Sequence, residues 1–331
     1  MIIVTGGAGF IGSAIIWRLN QLGNENILVV DNLGTDEKWK NLVPLKFHDY
    51  MEKGEFLNLV VGDRIGARLR SENEKIDAII HMGACSSTTE QNATFLIENN
   101  FEYTRQLAIT AHNFGARFIY ASSAATYGDG SAGFNDSDAD IDRLRPLNMY
   151  GYSKQLFDQW ALRHEMLDKI VGLKYFNVFG PNEYHKGDMR SIVLKAFEQI
   201  ESTGKMKLFK SYREEYRDGE QLRDFLYVKD AVDMTLFFLE KRNANGLFNI
   251  GSGMTSSWNK LGTAIFRSMG KLPNIEYIEM PDAIRQKYQY YTCAEISKVR
   301  SAGFAKPITS LEEAVSDYVQ NYLTSGKRLG E

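Results

Sequence analysis

The chain has 331 residues, 44% of them apolar and 24% charged, which places it among globular proteins with material for about two domains. A net charge of −3 with no long basic run argues against nucleic acid or an anionic membrane as partner. No apolar stretch approaches the ~20 residues of a membrane span, so no membrane association is expected.

Ile2, Ile3 and Val4 form a short β-branched run that reads as a buried strand. It runs straight into a glycine turn, so no charged-then-apolar leader is expected. Ile11, Ile15, Leu19 and Leu22 then fall on one face of a helix. Gly6, Gly9 and Gly12 sit at the turn between them, spaced Gly-x-x-Gly-x-x-Gly. Glycines there allow a tight turn, close approach of backbone to a pyrophosphate, and close packing of helix on strand. The helix start offers free N–H groups to the phosphates. A second strand, Ile27 to Asp31, ends in an acid 19 residues after Gly12, which completes a dinucleotide-binding fingerprint.

Further along, Leu45 to Tyr50 reads as a third strand, and Phe56, Leu57 and Val60 suggest a helix interrupted by glycines. Ile76 to His81 reads as a buried strand ending in the small residues Gly83 to Ser87. A long helix is expected over 94–113, a strand over 117–123, a loop over 128–147, a helix over 149–167 and a strand over 171–176. Repeated β-α units predict an α/β fold, a doubly wound parallel sheet with helices on both faces. After Pro181 a helix over 189–200 and short strands near 207–210, 224–228, 246–251 and 275–279 follow. Asp230 is placed as the N-cap of a helix reaching Leu239, and a terminal helix spans 311–323. The expected division is a nucleotide-binding domain, 1–175, to which 224–253 returns, and a smaller discontinuous substrate domain, 176–223 and 254–331. The mixed-sign charge cluster of 205–223 reads as a solvated loop.

Cys85 and Cys293 are the only cysteines, no disulfide framework, and they fit a reducing cytoplasm. The five histidines show no metal-ligand spacing, so no metal is expected. The chemistry rests instead on Tyr150-Gly-Tyr-Ser-Lys154. Tyrosine and lysine four apart share one helical face at about 6 Å. A tyrosine of pKa about 10 is a poor base at pH 7, and a nearby ammonium favours its phenolate. Ser122 and Ser123, ending the strand upstream, offer a hydroxyl for a substrate oxygen.

With these residues in order, the chain resembles the extended short-chain dehydrogenase/reductases of the sugar-nucleotide epimerase and dehydratase group. More narrowly it resembles the ADP-glyceromanno-heptose 6-epimerase family, from Met1 to about Tyr322. The matching strings are Val29-Val-Asp-Asn-Leu33, Gly83-Ala-Cys-Ser-Ser-Thr-Thr-Glu90, Ala121-Ser-Ser-Ala-Ala-Thr-Tyr-Gly128, Tyr150-Gly-Tyr-Ser-Lys154, Tyr175-Phe-Asn-Val-Phe-Gly-Pro181 and His185-Lys-Gly187. The resemblance implies inversion of C6 in ADP-D-glycero-β-D-manno-heptose for lipopolysaccharide core, by transient oxidation with a tightly held nicotinamide cofactor. It implies Tyr150 and Lys186 as the proton acceptor and donor on the two sides of the carbon, with Lys154 and Ser123 beside them. A lysine base requires a pKa lowered by burial or by nearby positive charge.

The resemblance also implies which positions line the cofactor: Gly6, Gly9, Phe10, Ile11, Gly12, Asp31, Asn32, Lys38, Lys53, Met82, Gly83, Ala84, Cys85, Ser86, Asn99, Lys154, Val178 and Lys186. Asn177, Asp188, Lys195, Phe209, Lys210, Ser211, Tyr212, Arg223 and Tyr288 are to face ADP-heptose. Arg223 is preferred over Arg213 and Arg217 on alignment. Asp31 alone favours NAD, because a carboxylate bonds ribose hydroxyls and repels a 2′-phosphate. The family prefers NADP, with Lys38 and Lys53 to neutralise that phosphate, and NADP is the expected cofactor. A homo-oligomer, pentameric by resemblance, is expected. Another nucleotide-sugar epimerase, such as a UDP-hexose 4-epimerase, is the alternative. A dehydratase would carry Asp-Glu where this chain has Ala124-Ala125, and a non-catalytic sensor would commonly lack Tyr150 or Lys154.

Overall fold

The computed structural model describes residues 1–62, 64–71, 75–285 and 288–331. The chain alternates β1 (Ile2–Thr5), α1 (Phe10–Gln21), β2 (Ile27–Asp31), β3 (Asp49–Glu52), α2 (Lys53–Val61), α3 (Ile65–Ser71), β4 (Ala78–His81), α4 (Ala93–Leu96), α5 (Tyr103–Asn113), β5 (Arg117–Ser123), α6 (Met149–Arg163) and β6 (Val171–Tyr175). There follow β7 (Asn177–Phe179), α7 (Ile192–Thr203), β8 (Met206–Phe209), β9 (Leu222–Arg223), β10 (Phe225–Tyr227), α8 (Val228–Glu240) and β11 (Gly246–Ile250). The remaining elements are β12 (Ser256–Ser257), α9 (Trp258–Ser268), β13 (Ile275–Ile278), α10 (Asp282–Arg285), α11 (Ser297–Ser301) and α12 (Leu311–Tyr318).

Seven strands form one parallel sheet in the order β11-β6-β5-β4-β1-β2-β3. All four residues of β1 are buried, as a central strand covered on both faces requires. On one face Val4, Ile15, Leu19 and Val29 pack with Val232 of α8 and with Val193, Leu261 and Val315. On the other, Ile3, Leu28 and Ile79 pack with Phe56, Leu107 and Phe157. From β1 the chain winds first to β2 and β3, then crosses back to β4, β5 and β6. The winding therefore reverses between the carboxyl ends of β1 and β4, where sheets of this kind open a crevice for ligands. Three two-stranded pairings, β10 with β7, β12 with β9 and β13 with β8, lie outside the main sheet. Among the described residues no helix is long and apolar enough to cross a membrane.

Several boundaries differ from the sequence pattern. The third strand spans Asp49–Glu52 and not Leu45 to Tyr50, because Leu42 and Leu45 reach the core from a loop, without pairing. Asp230 is not an N-cap. The helix begins at Val228 after an extended Tyr227, and the Asp230 carboxylate instead accepts the Thr309 N–H and hydroxyl, both at 3.0 Å. The long helix of 94–113 is broken by a π-helical segment, Ile97–Glu102, and the terminal helix ends in another, Val319–Leu323. The helix placed over 189–200 starts at Ile192, capped by the Ser191 hydroxyl.

Candidate active site

The glycine turn sits at the sheet's crevice. Gly6 has φ +66, and a Cβ there would lie 2.6 Å from the Gly83 nitrogen, so the ends of β1 and β4 meet with no room for a side chain. A Cβ on Gly12 would lie 2.1 Å from the Gly6 carbonyl oxygen. Gly9 is the N-cap of α1 and supplies no side-chain bond, which leaves the helix's first N–H groups free for an anion.

A cavity of about 590 Å³ runs from this turn to the ends of β5 and β6. Its wall holds Gly6, Gly9, Phe10, Ile11, Gly12, Asp31, Lys38, Met82, Gly83, Ala84, Cys85, Ser86, Val178 and Lys186, and at its far end Ser123, Tyr150 and Lys154. A second cavity, about 290 Å³, shares Asp31, Lys38 and Cys85 with the first and adds Asn32, Lys53 and Asn99. Every residue expected to line the cofactor thus stands on one of two adjoining walls. A glycine cradle, a helix start without a side-chain cap and a long cleft fit a dinucleotide. Among the described residues no group of three His, Cys, Asp or Glu could hold a metal.

Asp31 is more committed than the sequence suggests. Its carboxylate accepts the Ala8 N–H at 2.9 Å and the Asn32 N–H at 2.7 Å, and it is ion-paired with the Lys38 ammonium at 2.9 Å. Lys53 donates to the Asn99 side-chain oxygen and lies 4.8 Å over the Tyr103 ring. Burial lowers its pKa, with Asp31 opposing.

At the other end, Asn148 caps α6, accepting the Gly151 N–H at 2.8 Å, and so sets the direction in which Tyr150 leaves the helix. Burial raises the tyrosine's pKa, while a hydrogen bond with Ser123 pulls it down. The Lys154 ammonium is not turned to the phenol. It turns to the Ala121 carbonyl at 2.7 Å, because a buried cation takes the nearest acceptor. Burial brings the Lys154 pKa down to about 8, with Asp158 and Cys85 opposing. Lys186 lies on a short 3₁₀ turn, Tyr184–Met189, with its ammonium 5.0 Å over the Phe10 ring. Burial lowers its pKa, Glu183 opposes this, and the charge of Lys195 adds to the lowering. Burial and a nearby positive charge thus both act on Lys186.

The residues expected to face the nucleotide sugar are scattered. Asn177 and Tyr288 line a third cavity, about 1150 Å³, which meets the first at Ser123, Tyr150, Tyr175 and Phe176. Arg223 stands behind it, its guanidinium 5.1 Å over the Tyr288 ring and 5.5 Å over Trp258, and the Phe209 ring is 6.4 Å from that of Tyr288. Asp188, Lys195, Lys210, Ser211 and Tyr212 are not brought to these walls. The Lys195 ammonium is held by the Asp188 carbonyl at 2.5 Å, Lys210 is paired with Glu279 at 2.6 Å, and Tyr212 donates its hydroxyl to Glu279. The Ser211 N–H bonds Asp218 at 2.7 Å. Of the charged cluster in 205–223, Lys210 and Arg223 therefore hold partners within the chain. The sequence reading missed Thr88, Gly128, Gln289 and Thr292 on the third cavity's wall. Thr88 and Gly128 lie in strings it had singled out, whereas Gln289 and Thr292 carry no local pattern.

A doubly wound parallel sheet, a glycine cradle at its switch point and a serine, tyrosine and lysine at one end of the cleft define a dinucleotide-dependent enzyme of the short-chain dehydrogenase/reductase type. The chain belongs to the NAD dependent epimerase/dehydratase family, whose pattern matches residues 2–251. It is 54% identical over 325 residues to ADP-L-glycero-D-manno-heptose-6-epimerase of Nitratidesulfovibrio vulgaris (strain DP4), with 98% of both chains covered. It is 47% identical over 332 residues to the enzyme of that name from Fusobacterium nucleatum, again with 98% of each covered. The crystal structure of ADP-L-glycero-D-manno-heptose-6-epimerase from Helicobacter pylori superposes with a TM-score of 0.79 at 28% identity, covering 97% of this chain and 95% of that one.

Proposed function

We propose that the chain inverts C6 of the heptose in ADP-D-glycero-β-D-manno-heptose, giving the L-glycero epimer for lipopolysaccharide core. The relatives' names support the substrate and the family supports a nicotinamide dinucleotide. One observation carries the reading: two proton-handling groups of unlike chemistry, Tyr150 and Lys186, stand on the wall of a single cavity. Inversion requires a proton acceptor on each side of the carbon in turn, which one group on one side does not provide. A bound nicotinamide would supply reversible hydride transfer at C6, with return to the opposite face giving inversion. Tyr150 removes or restores the hydroxyl proton from one side, with Ser123 orienting it, and Lys186 does so from the other, its pKa lowered by burial. Lys154 holds a positive charge at the tyrosine's base.

The cofactor in this reading is NADP. Asp31 is already neutralised by Lys38, and Lys38 and Lys53 stand on the one small cavity beyond it, which supports a 2′-phosphate there. Residues 176–223 and 254–331 form the substrate domain over the strand ends. The free cysteines Cys85 and Cys293 support a reducing, cytoplasmic setting.

The test is to incubate the protein with ADP-D-glycero-β-D-manno-heptose and follow the C6 configuration by NMR. Inversion of C6, with the bound cofactor weighing as NADP by mass spectrometry, is expected. No conversion, with turnover of UDP-galactose instead, would refute the assignment.

A further inference from the structure

Tyr150, Lys154 and Asp158 follow one another on α6 at four-residue spacing and so share one helical face. The first two reach the cavity, while Asp158 lies beneath it, fully buried. Asp158 is ion-paired at 2.8 Å with Lys174 of β6, and the two side chains are 0% and 1% exposed. Burying two charges is costly unless their remaining bonding positions are filled, and an apolar pair of the same volume is often no less stable. Here the positions are filled. The carboxylate also accepts the hydroxyls of Tyr120 and Ser122, each at 2.8 Å. The ammonium donates to the Thr126 hydroxyl oxygen at 2.7 Å and lies 5.1 Å over the Tyr127 ring.

These bonds converge on the end of β5. Ser122, tied to Asp158, stands between Ala121, whose carbonyl receives the Lys154 ammonium, and Ser123, the partner of Tyr150. Thr126, tied to Lys174, donates to the Ser123 carbonyl at 2.8 Å. One buried carboxylate and one buried ammonium thus hold the backbone on both sides of the strand-end hydroxyl. We propose that Asp158 and Lys174 are positioning residues for the reaction: their ion pair fixes the Ser123 hydroxyl against Tyr150 and keeps a proton on Lys154. The groups facing Lys154 are Tyr150 and Asp158 on its own helix, His81 at the end of β4 and Cys85 just beyond it. Asp158 and Cys85 sustain its proton affinity against burial, and His81 is held neutral.

The inference rests on Tyr150 as an acid/base of the reaction with Lys154 as the charge beside it, and it has a readout that does not depend on turnover. The holoenzyme carrying Asp158→Asn and Lys174→Gln together loses both charges and keeps amides of similar size. Lys154, followed by NMR of 13C-labelled lysine, should release its proton at lower pH than in the parent. Turnover should fall away at correspondingly lower pH on the alkaline side, by about tenfold per unit of displacement at a fixed alkaline pH. An unmoved Lys154 titration, or a turnover reduced by one factor at every pH, overturns the proposal. Full turnover by Tyr150→Phe would instead overturn the acid/base reading and leave the titration standing. If the double variant does not fold, Ser122→Ala cuts the tie alone. It should lower kcat severalfold with KM unchanged, and an unchanged kcat overturns the proposal.

Discussion

Replacing Lys38 with alanine should weaken NADP binding and spare NAD binding. In the parent the Lys38 ammonium lies 2.9 Å from the Asp31 carboxylate, and both side chains are largely buried, at 17% and 9% exposure. Removing it leaves Asp31 with the Ala8 and Asn32 N–H groups but no counter-charge. A 2′-phosphate entering about 5 Å from that carboxylate would meet a repulsion of order 3 kcal/mol per unit charge at an effective dielectric constant near 20. Lys53, on the same small cavity, offsets part of this. A net loss of about 2 kcal/mol corresponds to about thirtyfold weaker NADPH binding. NADH has only ribose hydroxyls there, for which a free carboxylate is a good partner, so its affinity should change by less than about threefold. The assay strips the cofactor and titrates the apoprotein with NADPH and NADH calorimetrically at one salt concentration. Equal weakening of both dinucleotides would show that Lys38 does not read the phosphate.

The other expectations concern the chemistry, the cradle and pH. Tyr150→Phe and Lys186→Met should each lower turnover by about 10²- to 10⁴-fold while the purified protein keeps its cofactor; a near-normal rate in the lysine variant would remove the second base. Gly12→Ala places a Cβ 2.1 Å from the Gly6 carbonyl oxygen, so it should cost at least 1–3 kcal/mol in urea unfolding and abolish cofactor retention. His81 is buried between the hydroxyls of Thr5 and Thr104, and burial, then the charges of Lys154 and Lys53, hold its pKa well below 6.5. The unfolded chain takes up a proton near that pH and the folded one does not, so stability present above pH 6.5 is lost as pH falls, by up to about 1.4 kcal/mol per unit. His81→Gln should flatten the difference between urea midpoints at pH 7.5 and 5.5, and an unaltered difference would refute the assignment.

What a sequence discloses depends on how locally a feature is encoded. The phosphate cradle is written within residues 2–12, because strand, turn and helix are contiguous and each glycine has a steric reason to be there. Tyr150 and Lys154 stand at helical spacing, and α6 forms where they predict it. Charge placement is not written so plainly. Spacing put the Lys154 ammonium beside the phenol, but only the fold shows the Ala121 carbonyl within 2.7 Å of it. Asp31 alone read as a mark of NAD, and only the fold shows that its carboxylate is ion-paired with Lys38. Leu45 mimicked the start of a strand because burial from a loop leaves the same apolar signature as burial from a sheet.

The nucleotide-sugar end was the least legible, and its construction explains why. The third cavity is assembled from residues near 88–91, 123–128, 146–152, 175–177 and 288–292, stretches that only the fold brings together. Within it Tyr288 is held from two sides: the Trp258 ring N–H donates to its hydroxyl at 2.9 Å, and the Arg223 guanidinium lies 5.1 Å over its ring. Such a ring is a preorganised wall whose position costs little on binding. Tyr288→Ala removes the wall and leaves Arg223 and Trp258 without a shared partner. Since the cofactor's two cavities do not include it, the KM for the nucleotide sugar should rise by about tenfold, equivalent to about 1.4 kcal/mol, with NADPH affinity unchanged. An unaltered KM with a lower kcat would place Tyr288 in the support of the reacting end and not at the nucleotide sugar.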